Sequence, residues 1–112
     1  MSYEKLDVYK CAIKFLAMSI EITGQLPRGY KDLSDQIKRA SLSMPLNIGE
    51  GAGTRTKPDW RKYVYNARGS AMECGAAMDV CSELGLVDEG RIKQAKELLT
   101  RIVAMLTKLA RS

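Results

Sequence analysis

The chain has no histidine. That removes the side chain most often used for proton transfer near neutral pH, and with it the Ser-His-Asp arrangement. The Glu-x-x-His ligand pairs of bundle-type metal centres go too. Cysteine is scarce: Cys11, Cys74 and Cys81 are an odd number at no metal-ligand spacing. All three lie in helical pattern, mostly at apolar positions, and read as small buried hydrophobes. No apolar run approaches the roughly 18 residues that would cross a bilayer, so no membrane partner is expected. The opening stretch MSYEKLDVYK is polar and lacks the apolar core of a signal peptide, which points to a cytoplasmic protein. Neither strand-like alternation nor a phosphate-cradling loop is present: GEGAG lacks the Lys–Ser/Thr ending such a loop needs. Glu50 and Glu73 are single carboxylates without a histidine partner. The expectation is therefore no catalytic residue, no metal and no cofactor, in a protein that is not an enzyme.

What is present is helical period throughout. The 112 residues fit one domain. Leu6, Tyr9, Ile13, Leu16 and Ile20 mark a first helix, expected over 4–24, which Gly24 and Pro27 stop. Leu33, Ile37, Ala40 and Met44 mark a second, over 31–51. Trp60, Val64, Ala67, Ala71, Cys74, Met78 and Cys81 mark a third, over 57–84. Ile92, Ala95, Leu99, Ile102, Leu106 and Leu109 mark a fourth, over 89–110. Thr56 with Asp59 three residues on has the form of a capping box, Gly85 closes the third helix, and Asp88 is a natural N-cap for the fourth. Four helices of this length joined by short turns make an all-α, antiparallel up-down-up-down four-helix bundle.

Charge is distributed unevenly along the chain. Residues 53–68 hold five basic and one acidic residue, residues 69–90 hold no basic and five acidic, and residues 91–112 hold six basic and one acidic. Two basic segments flanking an acidic one suit a polyanion or a charge-matched neighbouring subunit. In the first basic segment Arg55, Lys57, Arg61 and Lys62 bracket Trp60, with Tyr63 and Tyr65 just beyond. Cations interleaved with aromatics suit phosphate contact and base stacking, so Arg55, Lys57, Trp60, Arg61 and Lys62, with Lys93, Lys96 and Arg101 of the fourth helix, are the candidate RNA or DNA contacts. Trp60 is also the first core position of its helix, and the core reading competes with the stacking one.

The stretch ASLSMPLNIGEG carries a proline, two glycines, an amide and a carboxylate inside a helical pattern. At about 100° per residue, Gln36, Arg39, Ser43, Asn47 and Glu50 form one polar stripe on the second helix. Asn66, Ser70 and Glu73 form a matching strip on the third, with Arg68 one face over. The expectation is that the strips face each other, Arg39 or Arg68 pairing with Glu50 or Glu73, and that the network also satisfies the Ser41 carbonyl freed by Pro45. Leu42 and Leu46 fall on a further face and are the candidate contact between subunits.

LSDQIKRASLSMPLNIGEG (Leu33–Gly51) followed by ARGSAMEC (Ala67–Cys74), with the opening YEKLDVYKCAIKFLAMS, resembles the four-helix-bundle family of 23S rRNA intervening-sequence proteins. The resemblance covers nearly the whole chain. Its signature positions are Gln36, Arg39, Ala40, Ser43, Pro45, Asn47, Glu50, Gly51, Arg68, Gly69, Ser70 and Glu73. Gly49 stands where the family commonly has alanine, and Lys38 lies beside Arg39. The resemblance implies a homo-oligomeric ring, a pentamer. Through the related accessory protein of diversity-generating retroelements, it also implies nucleic acid or a reverse transcriptase as partner. It does not transfer an activity, because kinship of fold does not.

Overall fold

The computed structural model describes residues 1–112 as four α-helices: α1 (Tyr3–Gly24), α2 (Lys31–Ala52), α3 (Lys57–Glu83) and α4 (Glu89–Arg111). Helices α1, α3 and α4 begin where a short polar side chain caps them, whereas α2 follows Tyr30 without a side-chain cap. Ser2, Thr56 and Asp88 accept from the backbone N–H groups of Lys5, Asp59 and Arg91 at 3.3, 3.2 and 3.0 Å. Helix α3 ends at Gly85, whose φ of +64° lets the Leu86 N–H turn back to the Cys81 carbonyl at 3.0 Å. Pro45 lies inside α2, which runs unbroken through it.

The helices pack in a cycle, each against its two neighbours. Contacts between α2 and α3 run in opposite senses: Gln36 meets Glu73, Ser43 meets Ser70, and Gly51 meets Trp60 and Tyr63. The bundle is 45 Å long and 22 × 18 Å across. Antiparallel order puts the start of α1, the end of α2, the start of α3 and the end of α4 at one end. The other end carries the Gly24–Lys31 and Glu83–Glu89 turns.

Twenty-six buried apolar residues form one continuous core. The stripes expected on α3 and α4 are buried throughout, and on α2 only Leu33 is less than buried. Helix α1 differs. Its core face is Val8, Cys11, Ala12, Phe15, Ser19, Ile22 and Thr23, whereas Leu6, Ile13 and Ile20 of the expected stripe are exposed. The buried hydroxyls disguise the true face. Ser19 and Thr23 donate to the Leu16 and Ile20 carbonyls of their own helix at 2.7 and 3.0 Å, so they enter the core with no unmet hydrogen bond. Helix α1 thus carries two apolar stripes on opposite sides, and one of them faces outward.

Candidate nucleic-acid interface

The fold sorts the basic segments by end rather than by sequence. Arg55, Lys57, Arg61 and Lys62 occupy the α2–α3 connection and the first turns of α3. The last turn of α4, with Lys108 and Arg111, reaches the same end. All six cations are exposed, and none forms an ion pair or a side-chain hydrogen bond. Carboxylates at this end are Glu4, Asp7, Glu50 and Asp59, but residues 60–72 of α3 and 98–112 of α4 contain none.

Lys93 and Lys96 lie elsewhere. Both sit in the first turns of α4, so Lys93 is about 27 Å along the helix from Arg111 at the usual rise. Lys96 is paired with Asp79 of α3. Arg101 sits mid-helix, lining an α1–α4 groove with Lys14, Met18, Gln94, Glu97 and Leu98. The structure therefore does not join these three cations to the Arg55–Lys62 group. A charge tally along the chain cannot see that α3 and α4 run in opposite directions.

Trp60 belongs to the core. It is 6% exposed, and Gly51 allows α2 to approach it. A Cβ at Gly51 would stand 2.8 Å from the indole Cε3 and 2.7 Å from the Tyr63 Cβ. The ammonium of Lys5 sits 4.2 Å from the ring centroid. The indole N–H is buried without a protein partner. A ring held this way presents no free face to a base, which corrects its place among the candidate contacts. Tyr65, in sequence only an aromatic beyond the cations, is 55% exposed among them. Helical phase carries that signal: Tyr65 lies well off the face set by Trp60, Val64, Ala67 and Ala71.

The polar strips do meet, through different atoms than expected. Gln36 donates to the Glu73 carboxylate at 2.9 Å. Ser70 donates to the Ser43 hydroxyl at 2.9 Å, and Asn47 donates to the hydroxyl and carbonyl of Ser43 at 3.0 and 2.9 Å. Beneath them Ser41 and Cys74 touch, Oγ to Sγ, at 3.6 Å. Burial pushes the Cys74 thiol up to about 11, with the Ser41 contact opposing it. Burial raises the Cys81 thiol as well. The expected ion pairs do not form. Glu50 and Arg39 are exposed, Arg68 is half-buried, and none of them has a charged partner. Apart from the exposed Gln36–Glu73 pair, the seam is built from short neutral side chains, because helices this close leave little room for an arginine between them.

Leu42 and Leu46 are 46% and 55% exposed on the outer side of α2, in a shallow groove with Arg39, Ser43, Asn47 and Glu50. A second apolar groove, of about 430 Å³, lies between α3 and α4, with Met72, Ala76, Leu99 and Val103 in its lining. No helix is long and apolar enough to cross a membrane.

Comparison with known proteins places this architecture. No curated protein matches the sequence. Among solved structures, a protein of unknown function from the S23 ribosomal protein family of Bacteroides thetaiotaomicron VPI-5482 superposes with a TM-score of 0.89. That match covers 97% of this chain and 99% of the other at 17% identity, which speaks to the fold. The sequence profile described as 23S rRNA-intervening sequence protein matches residues 4–108, across all four helices. The chain belongs to the 23S rRNA-intervening sequence protein family.

Proposed function

We propose that this protein is a non-enzymatic, homo-oligomeric nucleic-acid-binding or scaffold protein that contacts RNA or DNA mainly through phosphates. The observation that carries this is the end at which Arg55, Lys57, Arg61, Lys62, Lys108 and Arg111 are exposed without ion-pair partners. Unpaired surface cations attract a polyanion at little cost, because no protein contact has to be broken first. The names of the family and of the structural neighbour refer to 23S rRNA and to a ribosomal protein, which favours RNA as the polyanion. A binding titration of the whole protein against a mixed-sequence RNA at two salt concentrations tests the reading. The expected result is affinity that falls steeply with salt and varies little with sequence. No detectable binding at low salt would refute it.

Exposed leucines support the oligomeric part. A glutamate at position 46 places a charge in a desolvated contact, so Leu46→Glu is expected to lower the mass seen by light scattering while leaving the helical signal intact. An unchanged oligomer would remove α2 from the subunit contact. A second reading, a module that docks a protein such as a reverse transcriptase, is favoured by the α3–α4 groove with its 60%-exposed Met72. A pull-down that survives nuclease treatment would favour docking over nucleic-acid binding.

A further inference from the structure

We infer that Tyr65 is a base-stacking platform and that the basic end takes single-stranded nucleic acid, an inference that rests on the phosphate-binding reading above. Most aromatics of the chain are committed elsewhere. Phe15 and Trp60 are core, Tyr63 is packed where Gly51 approaches, and Tyr9 and Tyr30 are half-buried. Tyr3 is exposed but stands beside Glu4 and Asp7. Tyr65 alone combines an exposed ring with basic surroundings.

Those surroundings are set by helical spacing. Residues three and four apart are neighbours on a helix surface. For Tyr65 these are Arg61 and Lys62 on the preceding turn, and Arg68 and Gly69 on the following one. Three of the four are cations without ion-pair partners, and the fourth has no side chain. A Cβ at Gly69 would meet nothing within 4 Å, so the surface one turn after Tyr65 is open. No carboxylate occurs between Trp60 and Met72 to repel a phosphate. A ring with positive charge one turn before and one turn after it can hold a base on its face while the flanking phosphates meet the cations. A duplex keeps its bases stacked on one another and could use only the cations. Tyr65 is the feature of this surface that distinguishes the two forms.

The test is fluorescence anisotropy of the full chain with a labelled oligoadenylate of roughly a dozen nucleotides, and with a duplex of equal length. Tyr65→Ala is expected to weaken single-strand binding about tenfold while leaving the dependence on salt unchanged, and to alter duplex binding much less. Tyr65→Phe, which keeps the ring, is expected to bind as the parent does. Arg61→Gln is expected to flatten the salt dependence by about 0.7 in slope, one phosphate contact on a single strand. Parent-like single-strand affinity in Tyr65→Ala, together with weakened Arg61→Gln, would overturn the stacking role and leave the phosphate reading standing. A changed mass of Tyr65→Ala in light scattering would also overturn it, by placing the ring between subunits. Failure of the parent to bind either probe at low salt would overturn both readings.

Discussion

The α2–α3 seam and the α1–α4 seam are held by different means. Between α2 and α3, side chains meet across the seam at Gln36–Glu73, Ser43–Ser70 and Ser41–Cys74, and Gly51 brings the helices to close approach. Between α1 and α4 the one side-chain hydrogen bond is Arg91 to Glu21, 3.3 Å long and exposed, while grooves open along the seam between it and the opposite end of the bundle. Hydrogen bonds across a seam fix register, because a slip of one residue leaves each donor facing the wrong partner. Apolar contact alone tolerates small slides. Of the positions that carry the family resemblance, Gln36, Ser43, Gly51, Ser70 and Glu73 make contacts across the first seam, so that part of the motif specifies how α2 and α3 meet.

The largest way to break this comparison is to spoil the close approach. Gly51→Ala would put a methyl 2.7 Å from the Tyr63 Cβ and 2.8 Å from the Trp60 ring. Both neighbours are fixed by the core, so the helices must part. The expected loss is about 2 kcal/mol in chemical denaturation, overpacking outweighing the helix-propensity gain of alanine. Gly69→Ala, at a site where a Cβ meets nothing, is expected to raise stability by about 0.5–1 kcal/mol. Equal effects at the two positions would show that propensity rather than contact governs both.

A middle-sized test concerns the hydroxyl pair. Ser70→Ala removes the donor to Ser43 and is expected to cost about 1 kcal/mol. Ser43→Ala is expected to cost more, since the Ser43 hydroxyl also accepts from Asn47. The double variant should show coupling of about 0.5–1 kcal/mol by denaturation. Strict additivity would mean that the two hydroxyls meet without holding the helices.

Much of this was legible in the sequence, and the failures have physical causes. Helix number and order follow from apolar spacing, and on α2, α3 and α4 the stripes that spacing picks out do line the core, apart from the half-buried Leu33. On α1 the same rule selects Leu6, Ile13 and Ile20, because Ser19 and Thr23 look polar until their hydroxyls turn back on their own helix. Periodicity also finds the polar strips of α2 and α3, but not their partners. Charge suggests arginine–carboxylate pairs, whereas the spacing between close helices favours serine. Trp60 stands both at a core position and among cations, and only the geometry around Gly51 decides between them. A linear reading adds Lys93 and Lys96 to the basic segment because it does not fold the chain back.

The smallest expected effect sharpens the comparison from the other side. Glu21 and Arg91 are 70% and 41% exposed, so water screens their attraction and both side chains lose freedom when they pair. Arg91 also lies 3.6 Å from Asp88 of its own helix, which gives it a second carboxylate when Glu21 is neutralised. Glu21→Gln is therefore expected to change stability by less than about 0.5 kcal/mol, and by still less in high salt. Denaturation of parent and variant at two ionic strengths measures it. A loss well above 1 kcal/mol that persists in salt would mean that α1 and α4 are also registered by a polar contact. The contrast between the two seams would then be one of side-chain type and not of mechanism.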